Sequence, residues 1–162
     1  MRCIGVRRSA VPCPPELDWL GQSHDIDELL AASDFVVVAC DMNESTIGLI
    51  DAARLDAMKA TAVLINVARG RVVDEDALYQ ALVERRIGGA ILDTWYQYFA
   101  AGDEPVWPCN RPFQDLDNTI LSGHRSALTE QMHARRWQFV AENCARVGRG
   151  ETPHNIVFHG TG

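Results

Sequence analysis

Two side chains stand where carboxylate binding and proton transfer need them. Arg69, in NVARG (Asn66 to Gly70), comes directly after an apolar run and before a glycine, where the backbone turns. A guanidinium there is a rigid, permanently charged fork that holds a carboxylate by two parallel hydrogen bonds. His124 follows another apolar run, TILSG, and precedes a helix-starting segment. Its imidazole is suited to proton transfer near neutral pH. Plainer roles stay open for both: a surface ion pair for Arg69, a helix cap or satisfied core residue for His124. Other apolar runs end in polar groups too: Arg7 and Arg8 after RCIGV, Asp41 and Asn43 after FVVVAC, Asp93 after GGAIL. In open parallel sheets ligands bind beyond the carboxyl ends of the strands, so these groups define one candidate edge.

Those runs must be strands. RCIGV (Arg2 to Val6), FVVVAC (Phe35 to Cys40), AVLINV (Ala62 to Val67), GGAILD (Gly88 to Asp93) and NTILSG (Asn118 to Gly123) are nearly continuous in apolar residues, as strands covered on both faces are. Helical patterns lie between them. Asp25 with Glu28 forms a capping-box-like start for a helix burying Ile26, Leu29 and Leu30. Asp74 caps a helix with Leu78, Ala81 and Leu82 inward and Gly88 and Gly89 past its end. A last helix from about Ala127 to Val147 gathers Trp137, Val140, Ala141, Cys144 and Val147 on one side, and Gly148 closes it. Strands alternating with helices predict right-handed βαβ units, a parallel sheet and the α/β class. Val11 to Gly21 and Thr94 to Leu116 read as irregular; the longer, aromatic-rich stretch has the length of a functional or interface loop. One domain is expected.

A net charge of −7 over 162 residues argues against nucleic-acid or membrane-surface binding, since both partners are anionic. No apolar run approaches the roughly 20 residues of a membrane span. MRCIGVRRSA lacks the order of a signal peptide, so the expected location is cytoplasmic. Five scattered cysteines without a CxxC pair read as reduced thiols, and no metal site is expected.

The order SDFVVVAC (Ser33 to Cys40), IGLIDAARLDAMKATAVLINVARGRVVDEDALYQAL (Ile47 to Leu82), IGGAILD (Ile87 to Asp93), NTILSGH (Asn118 to His124) and GRGETPHNIV (Gly148 to Val157) resembles the D-isomer-specific 2-hydroxyacid dehydrogenases, over nearly the whole chain. The resemblance implies a doubly wound, Rossmann-like parallel sheet and hydride transfer between NAD(P)H and a small 2-oxo or 2-hydroxy acid. It also implies a homodimer in the intact protein. Arg69 matches the arginine that orients the substrate carboxylate and polarises the carbonyl, and His124 the histidine that exchanges the proton. Asp93 matches the aspartate on the nicotinamide carboxamide. Val67 and Ala68 lie where backbone meets cofactor, and Cys40 to Asn43 border the adenosine half. Arg7 and Arg8 stand where NAD-specific relatives carry an acid, which favours the 2′-phosphate of NADP.

The chain departs from the family pattern in three places. No G-x-G-x-x-G loop with its strand occurs in the sequence. The expected organisation is therefore a partial dinucleotide-binding domain over 1–150 and a tail over 151–162 returning toward an absent substrate domain, as from a truncated reading frame. In the strand order 3-2-1-4-5-6 the absent strand is central, which leaves two inner edges to pair with each other or stay bare. Tyr98 occupies the position of the family's histidine-paired glutamate, with Glu104 a re-registered alternative. Ser122-Gly123-His124 replaces the usual T-P-H. Two functions follow: an oxidoreductase fragment, or an inactive remnant serving as a dimerisation or binding module through Trp95, Tyr96, Phe99 and Trp107.

Overall fold

β-branched runs at parallel spacing build most of the architecture. The computed structural model describes residues 1–98 and 107–157. In chain order the elements are β1 (Ile4–Arg7), β2 (Trp19–Gln22), α1 (Ile26–Ala32), β3 (Phe35–Val38), α2 (Ala52–Ala57), β4 (Val63–Asn66), α3 (Glu75–Val83), β5 (Gly89–Leu92), β6 (Thr119–Leu121) and α4 (Glu130–Gly148). All pairings are parallel: β3-β4-β5-β6 form one sheet in that order, and β1 and β2 form another. The chain divides into two compact units, Met1–His124 and Arg125–Gly162. The resemblance implies a cofactor-binding part over 1–150 and a tail over 151–162.

Register explains which side chains are buried. Val36, Leu64 and Ala90 are paired neighbours on one face of the four-stranded sheet, as are Val38, Asn66 and Leu92 one step along. All six are buried. Against them pack Leu30 of α1, Leu55 of α2, and Leu78, Ala81 and Leu82 of α3. The opposite face carries Phe35, Val37, Ile65, Ile91 and Ile120 in matching register. There Phe35, Val37 and Ile120 are 63%, 59% and 64% exposed. The expectation of strands covered on both faces therefore fails on one side: an apolar run guarantees a strand but does not supply a second layer.

The two inner edges do not pair with each other. Among the described residues β1 bonds only to β2, and β3 only to β4. Strand β2, Asp18's neighbour in a stretch read as irregular, is the unforeseen partner. It is four residues long and contains Gly21, too little for a period to show. Its entry is tied down by Cys3 N–H, which donates to the Asp18 carboxylate at 2.6 Å.

Helix ends follow local chemistry with small shifts. Asp74 caps α3 by accepting from Ala77 N–H at 2.8 Å, as expected. That helix closes through Arg85 in the left-handed region (φ 54), with Arg86 N–H donating to Ala81 O. Gly88 and Gly89 serve differently: a Cβ on them would strike the Thr61 and Asn118 carbonyls. Asp25 accepts from Gln22 N–H at 2.7 Å rather than from α1, because a 3-10 turn at Ser23–Asp25 precedes that helix. Helix α4 starts at the Thr129 cap, ends one residue later than patterned, and buries none of its residues; Trp137 is 67% exposed. Its positive-φ exit is Gly150, not Gly148.

Tyr96 stacks on buried Phe113, with ring centroids 6.3 Å apart, and its hydroxyl finds no hydrogen-bond partner among the described residues. Burial, with Glu75 and Asp74 adding repulsion, pushes its phenol well above the usual tyrosine range. The folded state thus cannot ionise Tyr96 where the unfolded chain can. The stability tied to the neutral phenol is fully present below about pH 10 and is lost as pH rises beyond it. Tyr96→Phe should remove that alkaline loss and leave neutral-pH stability unchanged or higher. Urea midpoints of both proteins across the alkaline range check this; parallel pH profiles would refute it.

Candidate active site at the carboxyl ends of the strands

Strand β4 delivers Arg69 through a turn that its own last residue closes. Asn66 is 1% exposed. Its Oδ1 accepts from Ala68 N–H at 3.1 Å, and its Nδ2 donates to Arg69 O at 3.0 Å. Buried polar groups need such partners, and here one carboxamide satisfies two backbone groups of the turn. Outside the turn, Gly48 N–H donates to Arg71 O and Ile50 N–H to Val72 O, at 2.9 and 3.0 Å. Gly70 admits the next loop: a Cβ there would run into the Trp95 carbonyl and lie 2.7 Å from the Tyr96 nitrogen. The Arg69 side chain is exposed, and Nη1 donates to Ala68 O at 2.6 Å. No carboxylate pairs with it among the described residues.

Strands β5 and β6 are laced together at the same edge. Asp93 N–H donates to Asn66 O at 3.1 Å, and Ser122 N–H to Leu92 O at 2.9 Å. Asp93 is buried, 4% exposed, and its carboxylate accepts from the Ser122 hydroxyl. The Trp95 indole donates to Ser122 O at 2.8 Å. His124 follows with φ 57, in the left-handed region, which a non-glycine residue rarely adopts. Its ring is exposed, and Nδ1 lies 3.2 Å from the Tyr98 hydroxyl. His124 is therefore neither a core residue nor the cap of α4, which is Thr129. Tyr98 takes the place beside it that the resemblance gave to a glutamate; Glu104 lies outside the described residues.

The remaining expected residues divide into two groups. Cys40, Val67, Ala68 and Asp93 line the same edge of the four-stranded sheet as Arg69 and His124, while Arg7 and Arg8 end the separate β1–β2 pair. Both arginines are exposed and lack a carboxylate partner among the described residues. Val67 and Ala68 commit their N–H groups to Val38 O and Asn66 Oδ1, which leaves the 39%-exposed Val67 side chain to meet a ligand. Asn43 turns its Oδ1 on Ser45 N–H and Oγ, shaping its own loop. Partial desolvation, with Asp41 adding repulsion, pushes the Cys40 thiol up. Of the proposed interface aromatics, Trp107 is 72% exposed, whereas Trp95 and Tyr96 turn inward and Phe99 lies outside the described residues.

Asn66, Ser122 and the Trp95 indole were not foreseen as site-forming. Only Asn66 carries a signal, a carboxamide closing an otherwise apolar strand.

A parallel sheet with helices on its βα crossovers and polar groups gathered beyond its strand ends has the architecture of the open α/β domains, which bind ligands at that edge. Comparison with known proteins narrows this. The D-isomer specific 2-hydroxyacid dehydrogenase, NAD binding domain matches residues 1–126. The glyoxylate reductase of Korarchaeum cryptofilum (strain OPF8) is 39% identical over 132 residues, covering 82% of this chain and 38% of that protein. An acyclic imino acid reductase in complex with NADPH and D-Arg superposes with a TM-score of 0.80 at 27% identity, over 98% of this chain and 46% of that one. The D-isomer specific 2-hydroxyacid dehydrogenase from Xanthobacter autotrophicus Py2, in complex with NADPH and MES, gives 0.73 at 31% identity, over 96% and 60%. The chain belongs to the D-isomer specific 2-hydroxyacid dehydrogenase family, and it spans less than half the length of the curated relatives it matches.

Asn66→Ala strips the acceptor from buried Ala68 N–H and the donor from Arg69 O. Leaving such groups unsatisfied should cost about 2–3 kcal/mol. Urea unfolding measures it; a loss below about 0.5 kcal/mol, the range of ordinary surface changes, would show that the turn does not depend on this residue.

Proposed function

We propose that this chain is the cofactor-binding part of an NAD(P)-dependent oxidoreductase acting on small 2-oxo and 2-hydroxy acids, with Arg69 and His124 as catalytic residues. The observation that carries the reading is their placement: an exposed guanidinium and an exposed imidazole leave one sheet edge from β4 and β6, the neighbours of β5. Two strand spacings separate those strands by roughly 10 Å, a span that a small oxo acid bridges with help from both side chains. The family match favours this reading over an inactive assembly module.

The residues act as follows. The Arg69 fork takes the substrate carboxylate by two charge-assisted hydrogen bonds and draws electron density from the adjacent carbonyl. When bound, NAD(P)H supplies the hydride in reduction and NAD(P)+ accepts it in oxidation. His124 gives a proton to the oxygen as that oxygen gains charge, and removes it in the reverse direction. Asp93, oriented by the Ser122 hydroxyl, is the partner of the carboxamide end of the cofactor. Val67 and Ala68 lie along its path, with Val67 offering an apolar side chain. Cys40 and Asn43 border the adenosine side. Arg7 and Arg8 present two exposed cations to a ribose 2′-phosphate, which supports NADP(H) over NAD(H). The glyoxylate reductase relatives make glyoxylate the first substrate to try. The cofactor-binding part runs over 1–150, the tail over 151–162, of which 158–162 lie outside the described residues, belongs with a substrate-binding part, and the intact protein is a homodimer. No helix among the described residues is long and apolar enough to cross a membrane.

Fluorescence titration of the chain with NADPH and with NADH tests the cofactor assignment. NADPH should bind at least about tenfold more tightly, a difference of about 1.4 kcal/mol. The double variant Arg7→Glu/Arg8→Glu should erase or reverse that preference. Equal or tighter NADH binding by the unaltered chain would overturn the NADP assignment, and binding of neither would overturn the cofactor role itself.

A further inference from the structure

His124 has an exposed ring on a left-handed backbone, directly after Gly123. That backbone fixes where the side chain leaves the chain, but not which ring nitrogen faces the strand edge. Orientation must come from a partner held on one nitrogen, as it does for histidines in proton-transfer sites. Tyr98 is such a partner, with its hydroxyl 3.2 Å from Nδ1. The two rings tilt at 51° with centroids 5.7 Å apart, so the contact is made by the hydroxyl and not by stacking.

The hydroxyl is itself held. Trp95 N–H donates to Tyr98 Oη at 2.9 Å, and Trp95 is anchored through its indole to Ser122 O at 2.8 Å. A backbone N–H can only donate, so it occupies one lone pair of Oη and leaves the phenol proton to be directed elsewhere. Between a phenol and a neutral imidazole the proton affinities settle the direction: a phenol is the better donor and an imidazole nitrogen the better acceptor. A carboxylate at position 98 would act oppositely, because it only accepts and would draw the imidazole proton onto Nδ1.

We propose that Tyr98 is a positioning residue for His124: its hydroxyl donates to Nδ1 of the neutral ring, which places the ring proton on Nε2 and turns Nε2 toward the strand edge. When the ring is protonated, Nδ1–H donates to Tyr98 Oη through the remaining lone pair, and the phenol proton rotates to solvent. Tyr98 is 56% exposed, so water is within its reach. The ring thus keeps one orientation in both charge states through a neutral hydroxyl. This inference rests on the reading of His124 as the proton-exchanging group. The doubly protonated ring gives its Nε2 proton and is left with Nδ1–H on Tyr98 Oη, the form that takes a proton back at Nε2 in the reverse direction. Exchange with water returns the resting neutral ring to the Nε2–H form.

Nitrogen-15 NMR of the histidine rings in the whole chain tests it, at mildly alkaline pH where an ordinary imidazole is neutral. His124 is assigned by its loss in His124→Gln. In the unaltered protein Nε2 should carry the proton, and Nδ1 should show the shift of a nitrogen accepting a hydrogen bond. In Tyr98→Phe, which keeps the aromatic ring, the Nδ1 signal should move by several ppm toward that of a free nitrogen, and the ring should gain mobility on the nanosecond scale. The other histidines should not move. An Nδ1-protonated neutral ring in the unaltered protein would overturn the proposal. So would an Nδ1 shift that Tyr98→Phe leaves in place, a result readable even if cofactor titration shows no binding. Conversely, an Nδ1 bond confirmed in a chain that binds neither nucleotide would retain the positioning role and remove the catalytic reading it serves.

Discussion

The Asn66 carboxamide sits at the last position of β4, buried, with both its polar atoms spent on the turn that follows. Its backbone carbonyl takes Asp93 N–H, so the same residue fixes the Arg69 turn and joins it to the start of the next loop. From Asp93 the order passes to Ser122, and from Ser122 through Trp95 to Tyr98 and His124. Each group at the edge is oriented by one nearer the sheet. Register between parallel strands therefore becomes geometry between side chains that are far apart in sequence, which places the Arg69 guanidinium and the His124 ring on either side of β5.

Much of this was legible in the residues, for a physical reason. Buried parallel strands must be apolar and β-branched, and FVVV, VLIN and GAIL announce themselves; the last residues of the runs then identify the edge. The Asp74 cap was equally clear, because a side-chain acceptor three residues before a free N–H is a local arrangement. What stayed hidden was non-local. Strand β2 has no period to read in four residues, and only its pairing with β1 makes it a strand. The exposed face of the sheet could not be inferred from runs that look alike whether one side or both are covered. Helix α4 has the pattern of a buried stripe and buries none of it.

The same divide runs through the candidate site. Arg69, Asp93 and His124 are visible because strand ends are visible. Tyr98 was placed beside the histidine by likeness to relatives, but the direction of its hydrogen bond depends on Trp95 N–H, a backbone group that leaves no trace in residue type. Gly70 is another such case: its glycine reads as a turn residue, yet what it allows is the approach of the Trp95 backbone from a loop that starts more than twenty residues later.

The bare face of the four-stranded sheet also ties the stability of the chain to its surroundings. Phe35, Val37 and Ile120 hold apolar surface in water at about 25 cal/mol for each Å² left uncovered. Anything that covers this face in the folded state alone shifts the folding equilibrium by mass action, in proportion to the logarithm of its concentration. A midpoint of unfolding for this chain is therefore a function of what else is dissolved with it and how much, and a value quoted without those conditions describes the solution as much as the sequence.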